Sequence, residues 1–365
     1  MSQVTNDPGP REPVPQGEAP PEPIPHWPGH LVDLPVGQVV VRTAPAADGA
    51  EAALFIHGLG GSSTNWTDLM DLLSRPVEDR PAAQVLACSA LDLPGFGCSS
   101  PPASGDYSIN GHAVAVVELI ERQGRGPVHL IGNSMGGAVC TRVAAARPDL
   151  VRTLTLISPA LPDLRPRPLP LRLALAAVPG LGPAIIGWLR RLPAETRTDR
   201  ALSDVYSDPG VVHPSRRQAE IAEVLRRDSL IYANHALIKS ARSLVTEYFK
   251  VGKTSLWGDA GAVRAPALIL HGSYDRLVNP VMAGKAARAF PTARVLVLPG
   301  VGHVAMMERP ALVATEIRAF LDSVQEAGGP ARAAEQITGE TAANRVQNRP
   351  YQARRTRLTA SRMPS

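Results

Sequence analysis

The 365-residue sequence predicts an α/β fold, a mostly parallel sheet covered on both faces by helices, with an all-helical block inserted between two strands. Three observations predict it. Short apolar runs and helix-period runs alternate from about residue 29 to 160. The alternation stops from about 161 to 260, where apolar helical stretches such as 169–192 and 218–249 follow one another without a convincing strand. It then resumes at Ala267.

Taken in order, residues 1–28 form a low-complexity Pro/Glu/Gly segment, expected to be disordered with extended character. Strands are predicted at 38–42, 53–57, 85–91, 128–132 and 153–157, and helices near 66–73, 110–123 and 135–146. After the helical block come an apolar strand from Ala267, a last strand over 294–298 and a helix from about Pro310. The core is therefore expected to comprise residues 29–160 and 261–326. The block at 161–260 reads as a cap that excludes water and shapes a pocket. Its first stretch presents Leu, Ala, Ile and Trp188 on nearly all sides, broken by Pro and Gly. A well-packed lid over an apolar pocket is the expectation, with Trp188 its bulkiest candidate lining residue. Beyond residue 327 periodicity fades and Arg accumulates, which predicts a disordered tail over 327–365.

Apolar residues make up 44% of the chain, ample for a core, and the length allows two domains or one domain with an insertion. The net charge of +5 is uneven: residues 1–30 carry one Arg against four acids, and residues 331–365 carry seven Arg against two. The basic balance is therefore largely a property of the C-terminal segment, and no nucleic-acid binding follows for the folded body. Cys88, Cys98 and Cys140 make no disulfide framework and suit a reducing compartment. No secretory signal is apparent, and the longest uncharged apolar stretch, 173–189, is interrupted by Pro179, Gly180, Gly182, Pro183 and Gly187. The expectation is a soluble cytoplasmic protein with the oligomeric state open; the first cap stretch either packs fully or offers a lipophilic entrance to a membrane surface, and the packed lid is the reading expected. No His, Cys, Asp or Glu grouping has a recognised metal spacing, so neither metal nor cofactor is expected.

The chemistry concentrates in four strand ends. Val128 to Ile131 run as a buried strand into Gly132-Asn133-Ser134-Met135-Gly136 and directly into a helix, which places Ser134 on a sharp strand-to-helix turn with its hydroxyl above the sheet. A serine hydroxyl is a weak nucleophile until a base, itself held in orientation, takes its proton. Asp275, past the strand at 267–272, and His303, in a glycine-flanked loop past the last strand, follow in the order Ser, acid, His. The turn Gly58-Leu59-Gly60-Gly61 ends another strand and can aim the Leu59 N–H at an oxyanion, with the N–H of Met135 as second donor. The loop from Asp92 to Ser99 is expected to pack beside them.

These motifs, His57-Gly58, Asp92 to Ser99, Gly132 to Gly137, Asp275 and Gly302-His303, resemble those of the α/β-hydrolase superfamily over about residues 31–324. The resemblance implies an α/β-hydrolase fold with Ser134 as nucleophile, His303 as base then acid, and Asp275 as its orienting carboxylate. Other residues take blander readings. Asp163 is the alternative acid in a variant layout. His57 braces the oxyanion turn, and His129 and His271 are hydrogen-bonded interior histidines. The activity expected is hydrolysis of a small hydrophobic carboxylic ester through an acyl-enzyme. Three alternatives stand: a carbon–carbon bond hydrolase of ring-fission products, against which Val304 follows the His where Trp is usual; an acyltransferase or perhydrolase; and a non-catalytic binding protein on the same fold.

Overall fold

In the computed structural model, the described residues are 23–76, 85–163, 178, 180–342 and 344–348. Nine strands form one sheet: β1 Gly29–Leu34, β2 Gly37–Thr43, β3 Glu51–Ile56, β4 Leu86–Asp92, β5 Val128–Asn133, β6 Val151–Ile157, β7 Ala267–Gly272, β8 Ala293–Leu298 and β9 Val346–Asn348. Their spatial order is β1-β2-β4-β3-β5-β6-β7-β8-β9. β1 pairs antiparallel with β2 and β2 with β4, and every other pairing is parallel. The central strands β4, β5 and β7 are buried throughout, because helices cover both faces and leave no side for polar alternation.

From β3 the chain moves outward to β4 and then back to β5 on the other side, so the strand order reverses between β3 and β5. Loops part at such a switch point and leave a crevice at the carboxyl ends of the strands. The register aligns those ends: Ile56 pairs with Gly132, Asn133 with Ile157, Ile157 with Leu270, and Gly272 with Leu298.

Helices α1 Thr67–Ser74, α2 Ile109–Gln123 and α3 Met135–Ala146 lie within residues 67–146. Ser108 caps α2 by accepting the Gly111 N–H, and Gly124 ends it in the left-handed region at φ 60°. One face of the sheet buries Leu119, Val139, Ile269 and Phe290, and the other buries Trp66, Leu69, Phe320 and Ile337.

Between β6 and β7 the described chain forms α4 Leu181–Leu189, α5 Ala194–Val205, α6 Pro214–Ser229, α7 Ala233–Glu247 and α8 Leu256–Ala262. The predicted helical run 218–249 is two helices, since Leu230, Ile231 and Tyr232 interrupt it. Much of the run 169–192 lies outside the described residues. The boundary at 260 needs correction: α8 buries Leu256 and Ala260 in the cluster that holds Val139, so it belongs to the body.

After β7 come α9 Met282–Ala289, α10 Ala305–Glu308, α11 Pro310–Glu326 and α12 Pro330–Gly339. The predicted tail at 327–365 is corrected here. α12 buries Ala333 and Ile337, and β9 extends the sheet beside β8, with Arg345 buried and bonded to the Phe290 carbonyl at 2.9 Å. Residues 349–365 lie outside the described chain. The N-terminal boundary also moves, because Trp27 packs on the core and Arg42 bonds its carbonyl. Arg216 of α6 reaches the Ile24 carbonyl (2.8 Å), the His26 ring and Asp68 of α1. No helix among the described residues is long and apolar enough to cross a membrane.

Candidate active site

Ser134 joins β5 directly to α3 with φ 52° and ψ −117°, a conformation disfavoured for any residue with a Cβ. Tight packing around the turn holds it there. A Cβ on Gly132 would meet Cys140 Sγ at 2.7 Å, and one on Gly136 would meet the Ile56 carbonyl oxygen at 2.1 Å. The Ser134 N–H donates to the Ile157 carbonyl (3.1 Å), and its carbonyl accepts from Ala160 (2.9 Å) and Ala138 (3.2 Å).

Asp275 and His303 lie side by side at the carboxyl edge of the sheet. His303 Nδ1 donates to Asp275 Oδ2 at 2.8 Å, with both side chains buried. Asp275 Oδ1 accepts the N–H groups of Leu277 (2.8 Å) and Val278 (2.9 Å), which fixes the carboxylate's plane. Burial alone would raise the pKa of Asp275. The charge of His303, its hydrogen bond and the Val278 N–H outweigh that and hold the carboxyl below its ordinary value. An ionised Asp275 favours the His303 tautomer that carries its proton on Nδ1 and leaves Nε2 as an acceptor. Asp163 takes no part in this pair; it sits beside Tyr248 and Lys285.

Ser134 is brought to the same place through its neighbour. Asn133 donates from Nδ2 to the carbonyls of Ile157 (3.0 Å) and His303 (3.2 Å), tying β5, β6 and the histidine loop together. On the other side the Gly58-Leu59 turn closes in: a Cβ on Gly58 would lie 3.1 Å from Ser134 Cβ. His57 braces that turn. The Leu93 N–H donates to its Nε2 (3.0 Å), so the ring proton sits on Nδ1 and reaches the Gly58 carbonyl (2.8 Å). Burial lowers the His57 pKa and keeps the ring neutral. The Asp92 carboxylate accepts from Ser63 N (2.6 Å) and Cys98 N (2.8 Å), joining the loops after β3 and β4.

His129 is hydrogen-bonded to Thr153 and Glu51, as expected of an interior histidine. His271 corrects its reading: it is buried, and neither ring nitrogen has a partner among the described residues. Burial pushes its pKa down to about 4, so it stays neutral. A cavity of about 360 Å³ lies away from Ser134, Asp275 and His303, lined by Asp48, Glu51, His129 and Arg152 among others, with no Ser, Thr or Cys among its lining residues.

Two participants have no motif of their own. Glu308 accepts from Gly302 N (2.8 Å) and Ser207 N (3.2 Å), clamping the histidine loop to the chain after α5. Ser158, at the end of β6, has φ 46°, and its N–H donates to Leu270 at 2.7 Å. Only an acid five residues past the histidine hints at Glu308, and nothing local marks Ser158. The insertion also touches the site. Val205 accepts from His303 N (2.7 Å), and Arg227 and Arg226 bond the carbonyls of Gly60 and Gly97.

Residues 53–310 match the family model of the alpha/beta hydrolase fold. The chain is 29% identical over 280 residues to the dihydrolipoyllysine-residue acetyltransferase component of the acetoin cleaving system of Cupriavidus necator, covering 75% of this chain and 64% of that protein. It thus spans a little under two thirds of that relative's length. It is 26% identical to Lipase 3 of a Moraxella species, over 76% of this chain and 79% of the lipase. A solved structure of a putative lipase from Acinetobacter baumannii superposes with a TM-score of 0.66 at 20% identity, over 82% of this chain and 93% of that one.

Proposed function

The chain belongs to the α/β-hydrolase fold family, and from that premise we propose that it is a serine hydrolase of carboxylic esters working through an acyl-enzyme. The observation that carries this reading is the buried 2.8 Å His303–Asp275 pair, tied by Asn133 to the strained turn that presents Ser134. Similarity to proteins named as hydrolases and lipases supports the coarser statement, a hydrolase.

In this reading His303 Nε2 takes the Ser134 proton as Oγ attacks the ester carbonyl. The carbonyl oxygen becomes anionic between the N–H groups of Leu59 and Met135. The latter stands at the first turn of α3, where backbone donors and the helix dipole favour negative charge. The imidazolium that forms is stabilised by Asp275, and it returns the proton to the leaving alcohol. Water, activated by the same nitrogen, then releases the acid and restores Ser134. No cofactor or metal is needed. The helical insertion serves as the cap, holding the histidine loop through Val205 and the Leu59 turn through Arg227. The ester it admits has an apolar acyl or alcohol part.

The test is labelling by a fluorophosphonate followed by turnover of aryl esters of increasing acyl length. Ser134 is expected to be the labelled residue, and kcat/KM is expected to rise about fourfold for each buried methylene until the pocket is full. A flat profile would sink the apolar pocket. Cleavage of a ring-fission diketone without ester turnover would move the reading to carbon–carbon bond hydrolysis.

A further inference from the structure

The helix α4 has the sequence Leu-Gly-Pro-Ala-Ile-Ile-Gly-Trp-Leu, and Gly182 is its one buried residue. Trp188 is 57% exposed, and Leu181 and Val178 are 42% and 44% exposed. A well-packed lid would turn these side chains inward, so the expectation that Trp188 lines the pocket is corrected. Arg190 donates to the Asp228 carbonyl at 2.6 Å, which sets the end of α4 beside the turn between α6 and α7. There Ile231 is fully exposed. Two neighbouring segments therefore share one open apolar face, which is more than the scattered single residues of an ordinary surface.

The charge pattern says what covers it. Residues 164–192 contain Arg165, Arg167, Arg172, Arg190 and Arg191 and no Asp or Glu. Arg190 and Arg191 stand exposed immediately after Trp188 and Leu189. Asp228 of the neighbouring turn pairs with Arg190 at 3.5 Å, which leaves Arg191 as the exposed cation beside the apolar side chains and the tryptophan; this combination suits a segment lying in the headgroup layer of a negatively charged bilayer. The helix is too short and too broken by Pro and Gly to span one.

We propose that the face formed by α4 and the α6–α7 turn docks on an anionic phospholipid surface, with Trp188 and Leu181 in the interface and Arg191 toward the lipid phosphates. Docking is a binding event read without turnover, so it stands or falls separately from the ester reading. Vesicles of phosphatidylcholine with and without phosphatidylglycerol, sedimented with the full chain, test it. The protein is expected to co-sediment at least about tenfold more strongly with the anionic vesicles, and salt is expected to reverse this. Arg191→Gln is expected to weaken binding about fivefold, the factor that one interfacial charge contributes. The double variant Trp188→Glu, Arg191→Glu is expected to abolish binding while melting like the wild type, since both side chains are exposed. Wild type remaining in the supernatant would overturn the proposal. So would a double variant that binds undiminished, which would move attachment to the Arg-rich C-terminal residues. Dimers in vesicle-free solution that the double variant dissociates would also overturn it, assigning the face to a second copy of the chain.

Discussion

At the carboxyl edge of the sheet, buried polar groups meet partners at almost every position. Asp275 receives His303, Leu277 and Val278, Asp92 receives Ser63 and Cys98, and Glu308 receives Gly302. Around this edge the apolar body is continuous on both sheet faces. Among the described residues, the helical insertion has a buried apolar cluster of its own formed by Ala194, Ile221 and Val224. It is fastened to the body by Leu202 and Tyr206, which join the body's apolar cluster, and by charged side chains: Arg216 to Asp68, Arg226 and Arg227 to backbone carbonyls, and Glu247 of α7 to Arg142 of α3. Apolar burial is non-directional and resists local opening, whereas such polar attachments are few and discrete. The body is thereby built to hold reacting groups still, and the insertion to be set against it.

Breaking the rigid half has the largest expected effect. Ser134→Ala is expected to cost on the order of a millionfold in kcat. It should leave the melting temperature unchanged or raised, since the substitution removes the reacting atom and not the packing. More than a few per cent residual activity in a clean preparation would place the chemistry elsewhere. Asp275→Asn keeps the volume and loses the charge that fixes the His303 tautomer, for a loss of up to roughly ten-thousandfold. The matched control is Asp163→Asn, which should turn over normally. Damage there and tolerance at Asp275 would reverse the assignment of the acid.

The attachment between the two halves is probed by Arg142→Ala. It removes the guanidinium from Asp259 and from Glu247, whose carboxylate is buried and keeps only Lys250 at 2.6 Å. Truncating one partner of a buried pair costs about 3 kcal/mol or more, readable as a fall in the urea midpoint. A midpoint within error of the wild type would show that the α3–α7 contact holds nothing.

The smallest effect is a slope. His112 of α2 is buried against Ser240 of α7, bonded from Nε2 at 3.0 Å, and burial holds its pKa down at about 3. Its folded pKa lies below the unfolded value of about 6.5, so the unfolded chain binds more protons between the two. The stability it contributes is therefore complete above about pH 6.5 and lost as the pH falls toward 3. His57 and His271 act in the same direction. His112→Gln, which can still bond Ser240, is expected to flatten the dependence of melting temperature on pH below 6.5. An unchanged slope would remove His112 from that account.

How much of this was legible in the chain differs from element to element. The span of α3, Met135–Ala146, is the one expected, because the elbow motif fixes its start and Arg147-Pro148 ends its period. β1 was missed: only Leu34 is fully buried, so the strand leaves no alternation to read. α12 and β9 were missed because the Arg-rich composition around them masks short elements that gain stability only by docking on β8 and α11. Asp92 could be found as part of a motif, whereas Glu308 could not, since its partners at residues 207 and 302 meet only after the insertion folds back.

Local sequence determined where the chemistry-bearing residues sit along the chain. Glycine at 132 and 136, Ser134 between strand and helix, and Asp275 and His303 each past an apolar strand are matters of backbone freedom and hydrophobic period. Tertiary structure decided what they face. Strand order brings the ends of β3, β5, β7 and β8 to one edge of the sheet, His303 and the Val278 N–H hold Asp275 charged against its burial, and burial keeps His57 neutral. Packing also decided the fate of α4. An all-apolar helix reads alike whether buried or bare, because periodicity carries no information when every face is the same, and only the neighbours present in space distinguish a lid's interior from an exposed surface.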